Sequence, residues 1–243
     1  MKDNLIEIKA NYETIAICEN FTLKHKQCEL EITPKLEGIV NKNWEIECAK
    51  NNKLFNGIIM CYGSHYSTES HLVVECFPIQ YKYFLAQLKG VIDFNLRPLA
   101  VSGLIIDKQK NTLISKRSNT VTQCKSYYEF VPSGGIPGDS INSKLAQDQL
   151  ALEFEEETNL NSELIETITP FCLILDKKNS VYDICCIMQL NGDLHNLIKS
   201  CTDGEYTHHQ VINITRVEDF LNLHQMVPTS LMMYDVFKRT RMG

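Results

Sequence analysis

Glu153, Glu156 and Glu157 crowd into the stretch Leu150-Ala151-Leu152-Glu153-Phe154-Glu155-Glu156-Glu157-Thr158. On an α-helix these three carboxylates fall within roughly a quarter to a third of the circumference. Like charges on one helical face repel unless a cation sits among them. Oxygen ligands suit a hard divalent ion, so the spacing points to Mg²⁺, with Mn²⁺ as an alternative. A plainer reading stands beside it: glutamate is a good helix former, and a charge run commonly marks a solvated face. What precedes the run favours the chemical reading. Val131-Pro132-Ser133-Gly134-Gly135 ends a short strand in a glycine-rich turn. Such a turn can offer backbone groups to a metal or phosphate beside the carboxylates. Gly134 and Gly135 are therefore candidate substrate-binding positions, and the carbonyl of either is a candidate metal ligand.

Other residues are open to two readings. Arg117 ends a strand that leads toward the glycine turn. It could grip a phosphate in bidentate fashion, or it could be a surface arginine in Ser115-Lys116-Arg117-Ser118. Arg97, before Pro98, has the same two readings. Tyr127 and Tyr128 could stack on a base, although sheet packing is the simpler role. His208 and His209 are adjacent on a strand and point to opposite faces, so at most one of them reaches a site as base or ligand. His65 and His71 read as structural.

The elements that must hold these groups follow from periodicity. Residues 99–106 read as a strand, 107–111 as a turn, and 112–117 as the return strand of a hairpin. Tyr128-Glu129-Phe130-Val131 is a further strand. A helix is expected over 143–158, with Ser143 as N-cap and Asn159 as the left-handed residue after its end. Residues 164–175 and 181–190 form a second hairpin about Lys177-Lys178-Asn179-Ser180. Val211-Ile212-Asn213-Ile214 is a strand, and 217–223 and 229–239 are closing helices. The first 95 residues read as mainly β, with strands at Ile15-Ala16-Ile17-Cys18, Trp44-Glu45-Ile46-Glu47 and His71-Leu72-Val73-Val74-Glu75. Asn41-Lys42-Asn43, Asn51-Asn52-Lys53 and Gly63-Ser64 read as turns between them. One helix is expected there, from Tyr81 to Leu88, and 93–98 is the candidate linker.

Composition narrows the class. The chain has 243 residues, 44% hydrophobic and 22% charged, which suits one large soluble domain or two small ones. A net charge of −6 argues against general nucleic-acid binding. No apolar run is long enough to span a bilayer, and no apolar segment follows Lys2 as a secretory signal requires. A cytoplasmic or otherwise soluble protein with no membrane partner is expected. Ten cysteines without a Cys-x-x-Cys pair read as buried reduced thiols rather than a zinc site.

Glu153-Phe154-Glu155-Glu156-Glu157-Thr158-Asn159-Leu160 resembles the second half of the Nudix box: glycine, five residues, glutamate, seven residues, then Arg-Glu-U-x-Glu-Glu-x-Gly-U, with U apolar. The Val131–Gly135 stretch resembles its opening glycine turn, and the resemblance covers residues 97–240. The box arginine is replaced by Leu152, its last glycine by Asn159, and its first glutamate by Lys144. Gly138 has the spacing of the first box glycine, whereas Gly135 has the better local context, with a loop three residues longer. Leu54-Phe55-Asn56-Gly57 and Gln80-Tyr81-Lys82-Tyr83-Phe84-Leu85 further resemble the front of Nudix enzymes that split UDP-glucose and UDP-galactose, whose boxes also lack the arginine.

The resemblance implies an α+β fold. A Nudix α/β/α sandwich on a mixed sheet, residues 96–243, would follow a small mainly β N-terminal module, residues 1–95. It implies a metal-dependent diphosphatase for a nucleoside diphosphate-linked small molecule. UDP-glucose or UDP-galactose would be cut to UMP and sugar 1-phosphate. Glu153, Glu156 and Glu157 with the Gly135 carbonyl would hold Mg²⁺, one of the glutamates serving as base, and Arg117, Gly134 and Gly135 would contact substrate. ADP-ribose or a dinucleotide is the alternative substrate. A Nudix-fold binding module without activity is the alternative that Leu152 and Lys144 favour and the three glutamates oppose.

Overall fold

The computed structural model describes residues 10–17, 20–28, 30–121, 123–139, 142, 144–198 and 205–242. Near the front, β3 (Ile58–Ser67) and β4 (His71–Gln80) form an antiparallel hairpin, and β2 (Asn20–His25) adds to β4 in parallel. Helix α1 (Pro34–Lys50) precedes the hairpin, and α2 (Tyr81–Leu88) follows it, over the span its i, i+3, i+4, i+7 pattern predicts.

Helix α1 corrects the reading of Trp44–Glu47 as a strand and of Asn41–Asn43 as a turn. Four residues of alternation fit either period. The start signal decides: Pro34 occupies the first turn, and the Thr33 hydroxyl accepts the Leu36 N–H at 3.3 Å. Val40, Asn43 and Glu47 then form its buried face. Gly63-Ser64 is no turn either. It sits inside β3, where the pairing with β4 slips between Tyr62 and Ser64 as in a bulge.

The remainder builds two sheets. Strands β1 (Tyr12–Ala16), β5 (Leu99–Ile106), β8 (Ser133–Gly135), β9 (Ile165–Asp176) and β10 (Val181–Leu190) make a mixed sheet in the order β1-β9-β10-β5-β8. Only β10 and β5 run parallel within it. Strands β6 (Asn111–Arg117), β7 (Tyr128–Phe130) and β11 (Tyr206–Asn213) form an antiparallel sheet in the order β11-β6-β7. Helix α3 (Leu145–Thr158) lies against β5, β8 and β9, and a short α4 (Leu194–Leu197) follows β10. Then come α5 (Val217–Leu223) and α6 (Pro228–Phe237), the latter against β9 and β1.

Side chains alternate along β5. Val101 and Ile105 join Leu150 and Phe154 of α3 in one core, while Leu104 joins Ile114, Phe130 and Met233 in another. The chain is thus α+β, with helices on mixed and antiparallel sheets and a smaller β2-β4-β3 sheet at the front.

Two further expectations are revised. Residues 99–117 do not form a hairpin: β5 has β10 on one edge and β8 on the other, so β6 turns over and pairs with β11 and β7. The Asp107 carboxylate caps that turn, accepting the N–H of Gln109 at 2.9 Å and of Asn111 at 2.7 Å. The glycine turn is in fact β8, with Gly134 opposite Val101 and Gly135 opposite Ala100. Ser143 lies outside the described residues, and α3 begins at Leu145 after Lys144. The eight described cysteines are free thiols, and no helix of the described residues is long and apolar enough to cross a membrane.

One side chain makes three of the bonds that hold the 93–98 segment. Gln87 accepts N–H bonds from Phe94 at 3.2 Å and Leu96 at 2.8 Å, and donates to the Leu96 carbonyl at 2.8 Å. Replacing Gln87 by Ala removes all three bonds beside the buried Leu96. We predict a loss of about 1–3 kcal/mol, measured by urea unfolding; a change below about 0.5 kcal/mol would show that solvent replaces those bonds at no cost.

Candidate functional site

Helix α3 presents Leu145, Ala146, Leu150 and Phe154 to the core. This stripe turns Glu153 and Glu157 toward β8 and the antiparallel sheet. Asn159 closes the helix in the left-handed region (φ 54°, ψ 28°), its N–H reaching the Glu155 carbonyl at 2.9 Å. The Glu155 side chain points elsewhere and accepts the Ser162 N–H at 2.8 Å.

Glu157 is buried. Its Oε2 accepts the Ser133 N–H at 3.1 Å, and its Oε1 lies 3.1 Å from the Tyr206 hydroxyl. That hydroxyl is also 2.7 Å from Glu129 Oε1. One O–H carries one proton, so it serves one carboxylate while the other contact requires a proton from the glutamate. Arg117 Nη1 pairs with Glu129, and Nη2 pairs with Glu205 at 3.1 Å. Glu153 is half-buried and receives Gln149 Nε2 on Oε1 at 2.7 Å. It lies directly against Gly134: a Cβ added there would stand 1.8 Å from Glu153 Oε1. The missing side chain at Gly134 is therefore what admits the carboxylate to the strand.

The electrostatics follow from burial and crowding. Burial and the nearby carboxylates of Glu129, Glu153 and Glu205 push the Glu157 carboxyl from 4.5 up to about 10. Burial also raises Glu153, with Glu156 and Glu205 adding to it and Gln149 opposing it. Glu129 is raised by burial against the pull of Arg117 and Tyr206. Among the described residues, four carboxylates thus share a small region with the Arg117 guanidinium.

The structure brings Glu153 and Glu157 together with Gly134, and leaves Glu156 exposed on the solvent side of the helix. A Cβ added at Gly135 would meet nothing within 4 Å. Gly138 is elsewhere: a Cβ there would stand 2.4 Å from Ile58 Cγ2, and its N–H bonds the Ile58 carbonyl at 2.9 Å. Arg117 reaches the site engaged by two glutamates. Leu152, in the arginine slot, is 53% exposed and lies outside the contacts around Glu157. His209 bonds Ser115 through Nδ1 at 2.5 Å, while His208 is exposed. Tyr128 packs edge-on to Phe220 at 5.1 Å, a sheet-packing role. Arg97 Nη2 bonds the neighbouring Asn95. His65 and His71 bond Tyr62 and Thr22.

Sequence reasoning missed Glu129, Glu205, Tyr206 and Gln149. A signal existed for Glu129: a charged residue inside the strand Tyr128-Glu129-Phe130 demands a buried partner. Tyr206 gave none, because the antiparallel register that sets it opposite Arg117 joins residues distant in sequence.

Among the described residues, no three His, Cys, Asp or Glu side chains form a group that could hold a metal ion by themselves. The donor set still fits a hard cation. Mg²⁺ commonly takes one or two carboxylates and completes its shell with water and substrate phosphate. Glu153 and Glu157 are two such oxygen donors, and their mutual repulsion is what a cation would relieve.

No family model matches the chain, and no curated protein matches it. Solved structures do. A MutT protein from Methanosarcina mazei is 16% identical over 60% of this chain and 96% of its own, with a TM-score of 0.41. A mutT/nudix family protein from Listeria innocua is 17% identical over 58% and 92%, with a TM-score of 0.42. An ADP-ribose pyrophosphatase from Streptococcus suis is 14% identical over 59% and 92%, with a TM-score of 0.37.

The raised Glu157 carboxyl gives a pH prediction for chelator-treated protein. Folded Glu157 keeps its proton between the ordinary 4.5 and about 10, where the unfolded chain has released it. The native state then binds more protons, so stability is greatest below 4.5 and falls as pH rises through that window. Glu157→Gln is predicted to flatten this fall and to unfold at higher temperature than the parent at pH 9. Parallel thermal-midpoint curves for both proteins from pH 5 to 9 would sink the assignment.

Proposed function

We propose that the chain is a Nudix-type hydrolase that cuts the diphosphate bond of a nucleoside diphosphate-linked small molecule. UDP-glucose or UDP-galactose is the substrate we favour, with UMP and sugar 1-phosphate as products. Residues 96–243 would be the catalytic unit, with β1 completing their mixed sheet, and the β2-β4-β3 sheet with its helices within residues 1–95 an accessory module. The observation that carries this reading is the contact of Glu153 with Gly134 beside the buried Glu157, which gathers carboxylates against a glycine strand. That is an arrangement suited to a dication and a polyanionic substrate, and poorly suited to either alone.

In this reading Glu153 and Glu157 would hold Mg²⁺ or Mn²⁺, with the backbone of the Ser133–Gly135 strand beside them. When bound, the ion neutralises phosphate charge and makes a bound water more acidic. The chain supplies the rest. The Ser133 N–H fixes one Glu157 oxygen, and Tyr206 borders the other. Gln149 steadies Glu153. One of the helix glutamates, Glu156 in this reading, would accept the proton that the attacking water gives up, although its side chain stands on the solvent side of α3. The new P–O bond forms as the anhydride P–O bond breaks, and the leaving phosphate carries away its electron pair. Arg117 keeps Glu129 and Glu205 in place rather than gripping phosphate as its first duty.

A binding module without turnover is the second reading. It is favoured by Leu152, whose exposed apolar side chain does none of the orienting that an arginine would do there.

The test is product release from UDP-glucose, ADP-ribose, NADH and dinucleoside polyphosphates with Mg²⁺, Mn²⁺ or EDTA. Metal-dependent release of UMP from UDP-glucose is the expected result, and Glu153→Gln should lower it by about 100-fold or more. Gly134→Ala should match that loss because its methyl group collides with Glu153, whereas Gly135→Ala, built into open space, should stay within about threefold of the parent. Turnover of another panel member would keep the hydrolase and discard the UDP-sugar. Nucleotide binding with no product from any member would establish the binding module instead.

A further inference from the structure

A second acidic recess lies away from the glutamate helix, at the start of β10. Asp183 shares its face of β10 with Cys185, on the side of the core formed with α6. Its Oδ2 accepts the Ser102 hydroxyl at 2.9 Å. Its Oδ1 is buried and accepts no hydrogen bond, which leaves an enclosed carboxyl half satisfied. Asp183 lines a cavity of about 140 Å³ together with Gln123, Asp176, Asn179 and Thr229. A wider cavity of about 320 Å³ shares four of those residues, Gln123, Asp176, Asn179 and Thr229, and adds Tyr12 and Lys178. The two therefore form one slot with an inner and an outer part.

Two carboxyl groups border the inner part, and neither is ion-paired among the described residues. Asp176 has no lone pair to spare. Its Oδ1 accepts the N–H groups of Lys178 and Asn179, and its Oδ2 accepts Tyr12 Oη and Asn179 Nδ2. It contributes charge but no open ligand. That separates two kinds of cation. A hard metal ion wants six or more oxygens close around it, and this cavity gives it one free carboxylate oxygen. An ammonium group wants three acceptors, which Asp183 Oδ1, the Thr229 hydroxyl and an amide oxygen of Gln123 or Asn179 can supply. The outer part has room for the carbon body attached to it, with the Tyr12 ring as a wall. Lys178 is exposed at the mouth, where solvent screens its charge.

We infer that the recess formed by Asp183, Thr229 and Asp176 is a binding site for the primary ammonium group of a small organic amine. This inference does not rest on the hydrolase reading, because no glutamate of α3 takes part in it.

The test is calorimetric titration of the full chain with methylammonium and with 1,4-diaminobutane, beside CaCl₂ and KCl at constant ionic strength. Saturable millimolar binding of both amines is expected, with the diamine tighter because its chain fills the outer part. Asp183→Asn should weaken it by about 10-fold or more, since a charge-assisted bond is lost. Glu153→Gln should leave it unchanged. No saturable heat with either amine would overturn the inference and leave the recess to water. Saturable Ca²⁺ binding that excludes methylammonium would also overturn it, as would equal affinity in a folded Asp183→Asn. If that variant does not fold, Thr229→Val carries the test: weaker amine binding supports the site, and unchanged affinity removes it.

Discussion

Strand β5 has a neighbour on each edge, β10 in parallel and β8 antiparallel, and much of the molecule is arranged around that fact. With both edges taken, the chain leaving β5 must cross to a second sheet at Asp107. That crossing sets β6 between β7 and β11, and so brings Arg117, Glu129 and Tyr206 together. On the other edge, β8 is only three residues long, yet its pairing fixes Gly134 opposite Val101. Helix α3 then packs on the same sheet through Leu150 and Phe154, and the depth of that packing drives Glu153 onto the glycine. The register of one strand thus sets the position of both halves of the site.

The site holds its carboxylates in a setting unlike that of the surface pairs. Surface pairs such as Glu218 with Lys238 leave both charges in water and contribute little. Glu157 and Glu129 are buried beside each other with a tyrosine hydroxyl between them. Burying carboxylates costs several kcal/mol each unless they are paired or protonated. Here the Glu157 carboxyl answers that cost by holding its proton, and Glu129 by its pairing with Arg117.

Much of this was legible in the sequence, and what was not has identifiable causes. Helix α2, the hairpin of β9 and β10, and the left-handed Asn159 follow from local signals: apolar spacing, turn residues, and a side chain that tolerates positive φ. Helix α1 was misread because Trp44–Glu47 alternates like a strand, and the cap at Thr33 outweighs that. The supposed hairpin of β5 and β6 failed for a different reason. Turn chemistry at 107–111 reports that the chain reverses, but not whether the strands then pair; that depends on strands elsewhere competing for β5. In the site, Glu153 and Glu157 were legible as a spacing on one helix. Glu129 and Tyr206 were not, because they meet Glu157 only through the order of strands.

The loop between β8 and α3 is fastened at its near end to the front of the chain. Met60 N–H bonds the Ile136 carbonyl at 2.9 Å, Gly138 N–H bonds the Ile58 carbonyl at 2.9 Å, and Gly138 has no room for a side chain against Ile58 and Pro78. Strand β3 therefore acts as a template on which the approach to the glutamate helix is laid down. Any sequence drift in β3 is filtered by what it does to a loop nearly 80 residues later. The two ends of the chain should accordingly change in concert: transplanting the back half behind an unrelated front would carry over every glutamate and still lose the surface that sets the loop's path.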